Sequence, residues 1–108
     1  MMQRHFDEDL SELRHHLVTM GSLVESMIGR AVRLLTQHTS TEAEGLLRDE
    51  QEANRLHMQI DDTCLRLLAL RQPAAADLRL IASALKMNGD LERIGDQAIN
   101  LLQRARTL

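Results

Sequence analysis

The chain has 108 residues, 44% apolar and 27% charged, with a formal net charge of −3. That is enough for one hydrophobic core and too little for two, and it excludes an intrinsically disordered chain. Nucleic-acid binding is also excluded: there is no Trp or Tyr to stack on bases, Phe6 is the only aromatic residue, and the balance of charge is acidic.

Helical periodicity begins at once. Phe6, Leu10, Leu13, Leu17, Met20, Val24, Met27, Ala31 and Leu34 alternate in steps of four and three, a heptad-like seam of the kind that packs helices nearly parallel or antiparallel. Helix 1 is expected over about residues 4–37. A polar joint, His38 to Glu44, follows. In it Thr41 and Glu44 have the spacing of a capping box that would open helix 2, expected over about residues 41–70. Its apolar line is Leu46, Ala53, Ile60, Cys64 and Leu67, and beside that line Glu50, Asn54, His57 and Asp61 form a narrow polar strip.

The second joint holds the only proline, Pro73. Proline suits the first turn of a helix, and Asp77 suits the positive end of its dipole, so helix 3 is expected over about residues 73–106. Its apolar seam reads Leu80, Ala84, Met87, Leu91, Ile94, Ala98, Leu101 and Ala105. A second row reads Leu78, Ile81, Leu85, Asn88, Glu92, Asp96 and Ile99, apolar at both ends and polar in the middle. Three helices with short joints give an all-α, antiparallel up-down-up three-helix bundle in a single domain.

The polar middle of helix 3 raises the functional question. Glu92 and Asp96 lie one turn apart, about 40° around the helix, and like charges at that spacing oppose each other unless a cation sits between them. Asp90 points about 200° away, with Arg93. Gly89 and Gly95 interrupt the same stretch at about 1 kcal/mol each relative to Ala. Gly95, on the core side, would admit a close approach. If helices 2 and 3 are antiparallel neighbours, Glu50 and Asn54 converge on Glu92 and Asp96. Two readings remain open: a solvated strip at the edge of each apolar stripe, or oxygen ligands for a hard cation.

Other features are weaker. Glu12 and His15 form one Glu-x-x-His element, where a carboxylate-bridged metal oxidase needs two, and His15 and His16 are expected to face solvent. His57 is expected to be a half-buried partner of Glu50 or Asp61. Cys64, the only cysteine, permits no internal disulfide and reads as a small core residue in a reducing compartment. No run approaches the roughly 18 apolar residues of a membrane span. A cytoplasmic location is expected.

Taken together, Ala69-Leu70-Arg71-Gln72-Pro73, Asp77-Leu78-Arg79-Leu80-Ile81, Ala84-Leu85-Lys86 and Asp90-Leu91-Glu92-Arg93-Ile94-Gly95-Asp96 resemble the PhoU family of phosphate-transport regulators. Phe6, Met20-Gly21-Ser22-Leu23-Val24 and Ala31 resemble its opening helix. The resemblance implies an all-α protein of two tandem three-helix repeats that is not an enzyme. It implies a negative regulator of the phosphate-starvation response, connecting the ATPase of a phosphate ABC transporter to a sensor histidine kinase. It also implies acidic motifs that bind metal, chiefly iron, with zinc or magnesium in some members. Carried over, those motifs are Glu92 with Asp96 and Glu50 with Asn54, the last a neutral residue where the family has an acid.

The chain amounts to one such repeat. It is therefore expected to be half of a longer protein or a unit that pairs as a homodimer, and the helical pattern still running at Arg104 to Leu108 favours the former. The rival functions are the metal oxidase, a purely structural dimerisation module, and an accessory domain of an ion-coupled phosphate transporter.

Overall fold

The structure, a computed structural model, describes residues 2–37, 40–71 and 73–107, with side chains for 5–37, 41–69 and 73–107. Three helices account for almost all of it: α1 (Met2–Gln37), α2 (Ser40–Arg71) and α3 (Ala75–Thr107). No strand occurs among the described residues. Helices of 32 to 36 residues rise about 50 Å at 1.5 Å per residue, which matches the 55 × 19 × 15 Å rod they form. Each helix packs on both of the others.

The ends of the helices depart slightly from expectation. α2 starts at Ser40, so Thr41 lies inside its first turn and is not the cap; His38 and Thr39 lie outside the described residues. Pro73 precedes α3 by two residues. The Ala74 carbonyl accepts the first intrahelical bond, from the Leu78 N–H at 2.8 Å, so Ala74 is the N-cap and Pro73 fixes the approach to it. Asp77 occupies the first turn, and Arg104 and Arg106 the last, each complementing the dipole.

The α1 seam is buried along its whole length, with only Leu17 half-buried. The α2 line is buried as expected, and Leu56 and Thr63 join it on the flank toward α1. That flank is held by Arg30, whose Nε donates to Asp49 Oδ2 at 3.0 Å, and by Arg33, whose Nε donates to Glu42 Oε2 at 3.0 Å.

On α3 the expected seam is displaced. The buried residues are Ile81, Ala84, Asn88, Gly95, Ala98, Leu102 and Ala105, whereas Met87 is 50% and Ile94 41% exposed. The two candidate seams share Ala84, Ala98 and Ala105. They differ in whether Ile81, Asn88, Gly95 and Leu102, or Leu80, Met87, Ile94 and Leu101, point inward, and Leu91 is half-buried between them. The bundle places the small and amide residues inward, because α1 presents the bulky Met20, Val24 and Met27 there, next to the Gly95 surface.

Gly95 is not obligatory for that packing. A Cβ on it would meet Met27 Cε at 3.6 Å and Val24 Cγ2 at 3.9 Å, ordinary contact distances. Gly95→Ala is therefore expected to stabilise the bundle by about 0.5–1 kcal/mol through helix propensity, read as a rise of a few degrees in the thermal midpoint followed by circular dichroism.

Candidate functional site

The antiparallel arrangement of α2 and α3 brings the two polar rows to one cleft at mid-bundle. Glu50, Ala53 and Asn54 of α2 face Leu91, Glu92, Gly95 and Asp96 of α3, and Met20, Val24 and Met27 of α1 form the floor. All four expected residues, Glu50, Asn54, Glu92 and Asp96, thus line a single small cleft, whose water-accessible volume of about 10 Å³ is room for about one water molecule. Carboxylates sit at its rim and methionine and valine side chains at its base. The rim residues remain partly or fully exposed, as charged groups without a buried partner must.

One end of the cleft carries a polar network that the sequence only partly indicated. His57 Nε2 donates to Glu92 Oε2 at 2.7 Å and lies 3.6 Å from Asp61 Oδ2. Asp61 was an expected partner of His57; Glu92, across the helix interface, holds it more closely, and Glu50 does not take part. Asn88, fully buried, donates through Nδ2 to the His57 carbonyl and to Asp61 Oδ1, both at 2.9 Å. Its Oδ1 is buried without a partner in the structure, as is His57 Nδ1. Asn88 therefore ties α3 to α2 at the point where the acidic row begins. The one available signal was its place in the 81, 84, 88 spacing, masked by its polarity.

As arranged, the cleft is not a preformed metal centre. Among the described residues no three His, Cys, Asp or Glu side chains converge closely enough to hold a metal ion. Glu92 is already committed to His57, and Asn54 brings a neutral oxygen where a hard cation prefers a carboxylate. A cation here would share Glu92 with His57, whose Nε2 occupies Oε2 and leaves Oε1 as the available oxygen.

The remaining candidates are structural. Asp90 pairs with Arg93 at 2.6 Å on the outer face, as the helical geometry required. Glu12 and His15 are exposed. His16, expected in solvent, is half-buried with Nδ1 enclosed, because its position brings it to the edge of the α1 seam. Cys64 is fully buried. Burial, and secondarily the charge of Asp61, pushes its thiol up to about 11, so the nucleophilic thiolate is scarce at neutral pH. A disulfide-exchange reagent is expected to find no reactive thiol in the native chain and one after denaturation.

The comparisons with known proteins agree with this architecture. The PhoU domain pattern matches residues 17–105. The chain belongs to the PhoU family. It is 43% identical over 104 residues to a phosphate-specific transport system accessory protein PhoU homolog of Pseudomonas putida, covering 96% of this chain and 41% of that one. The corresponding PhoU protein of Escherichia coli K12 is 34% identical over 100 residues, covering 93% and 42%. The crystal structure of PhoU from Pseudomonas aeruginosa superposes with a TM-score of 0.87 at 44% identity, covering 93% of this chain and 48% of that chain. The chain thus spans less than half the length of these PhoU relatives. The matched segment includes α2, all but the last two residues of α3 and all four residues of the cleft.

Proposed function

We propose that this chain is a non-enzymatic accessory component of phosphate transport that acts by protein binding in the cytoplasm. The observation that carries this reading is the match over nearly the whole chain, in sequence and in fold, to proteins named as phosphate-specific transport system accessory proteins. The geometry is compatible with binding: an elongated rod with a small acidic cleft and exposed apolar residues. No helix among the described residues is long and apolar enough to cross a membrane.

The finer role we propose is negative regulation. The helical surface would dock on the transporter's ATPase and on a sensor histidine kinase, holding phosphate-starvation genes off when phosphate is plentiful. Deleting the coding sequence in its host is expected to leave those genes on in phosphate-rich medium. Expression that stays phosphate-repressed in the deletion strain rejects the role.

The cleft enters this proposal as a cation site of Glu50, Glu92 and Asp96 with Asn54 as a neutral donor, iron being the metal the family resemblance suggests and zinc or magnesium the others. Protein purified without chelator, analysed for metals beside Glu92→Gln, tests it. Metal present in the parent and reduced in the variant supports the site; equal content in both assigns the metal elsewhere or removes it from the proposal.

A further inference from the structure

His57 is a half-buried side chain that belongs neither to the α2 core nor to the lining of the acidic cleft. It sits one turn beyond Asn54, at the end of the cleft. Its Nε2 reaches across the helix interface to Glu92 Oε2 at 2.7 Å, while Asp61 Oδ2, on its own helix, stays at 3.6 Å. One ring hydrogen cannot serve both carboxylates, and only the shorter contact lies within hydrogen-bond range.

The rest of the network fixes that choice. Asn88 is fully buried and holds Asp61 Oδ1 and the His57 carbonyl, both at 2.9 Å. Asp61 is thus engaged by an amide, and the α2 backbone at His57 is tied to α3 one turn before Glu92. Glu92 is in consequence the one cleft carboxylate held in place. Neither Glu50 nor Asp96 has a hydrogen bond or ion pair among the described residues.

The other ring nitrogen shows which part His57 can play. Nδ1 is buried without a partner. A histidine that ligates a metal through one nitrogen almost always donates the hydrogen of the other to an acceptor. Ligation through Nε2 would move the ring hydrogen to Nδ1, where no acceptor waits, and would forfeit the charge-assisted bond to Glu92. With the hydrogen on Nε2, that bond is kept and Nδ1 carries only a lone pair.

We propose that His57 is the positioning residue for Glu92 and is not itself a ligand. Its Nε2–H holds Oε2 and leaves Glu92 to offer a cation one oxygen, Oε1, beside Glu50, Asn54 and Asp96. The inference rests on the cation reading of the cleft and adds to it a residue outside the two acidic rows.

Zinc chloride titrated into the 108-residue chain tests it, followed by calorimetry and by nitrogen-15 NMR of the histidine rings. Zinc is diamagnetic and takes four-coordinate sites that include carboxylate oxygens. The parent is expected to bind it with the hydrogen of His57 still on Nε2. His57→Leu is expected to lower the affinity about tenfold or more, and His57→Gln, which keeps an N–H at similar reach, to stay within about threefold of the parent. In a Glu92→Gln background, where the acceptor charge is gone, His57→Leu is expected to add nothing further. A nitrogen shift that places zinc on Nε2 makes His57 a ligand and overturns the proposal, and this measurement needs no variant to fold. Equal affinity in the parent and His57→Leu, or His57→Gln as weak as His57→Leu, overturns it too and leaves the cation reading standing. A parent that binds no zinc, or Glu92→Gln that binds it as tightly as the parent, removes the cation reading and the proposal with it.

Discussion

Asn88→Asp is expected to destabilise the chain by about 3 kcal/mol or more at neutral pH, while Asn88→Leu changes stability by less than about 1 kcal/mol. The contrast follows from what Asn88 does. Its Nδ2 serves two acceptors at 2.9 Å, Asp61 Oδ1 and the His57 carbonyl. Aspartate replaces that donor with an acceptor, so a fully buried carboxylate faces both the Asp61 carboxylate and a carbonyl. Burial and the neighbouring charge both raise the carboxyl's pKa in the folded state. The sign follows: the folded state favours the protonated form, so the penalty relative to the parent is full above the folded pKa and shrinks as pH falls through it.

Leucine, by contrast, removes the buried, unpartnered Oδ1 along with the donor. Asp61 is only half-buried and can turn to water, and the His57 carbonyl keeps its place in the α2 helix. Equilibrium unfolding in urea at several pH values, with the slope unchanged between variants, separates the two outcomes. Equal losses for Asp and Leu would show that the amide's shape matters and its donor does not.

The network also explains which parts of this molecule could be read from its sequence. The α1 seam was legible because every inward position is apolar and the period is unbroken; the α2 line was legible in part, since its apolar members are all buried while Leu56 and the polar Thr63 join them from the flank. The convergence of Glu50, Asn54, Glu92 and Asp96 was legible too: one turn's spacing on each helix and antiparallel packing are sufficient to bring them together. The face of α3 was not. Its true seam contains Asn88 and Gly95, which look like solvent-facing residues, while Met87 and Ile94 complete an equally regular apolar pattern one residue earlier. Periodicity cannot choose between two seams that have Ala84, Ala98 and Ala105 in common. The choice is made by α1, whose bulky Met27 and Val24 need a small residue opposite. His57's preference for Glu92 over Asp61 escaped for the same reason, since partners across helices depend on register that no single helix encodes.

The displacement of the α3 seam has a direct energetic consequence. Ile81 is fully buried and Met87 half-exposed. Truncating Ile81 to Ala removes buried methyl groups and leaves a cavity, at a cost of about 2–5 kcal/mol. For a chain of this size, each kcal/mol lowers the thermal midpoint by roughly 4–8 °C, so Ile81→Ala is expected to melt roughly 8 °C or more below the parent. Met87→Ala loses contacts that are half in water and is expected within about 1 kcal/mol of the parent. Both are best compared at one protein concentration, because exposed Met87 and buried Ile81 would respond differently to any association. The opposite order, with Met87→Ala the more damaging, would restore the uninterrupted apolar seam to the core. It would also rotate Asn88 and Glu92 away from α2, and with them the polar network and the cleft that depend on this register.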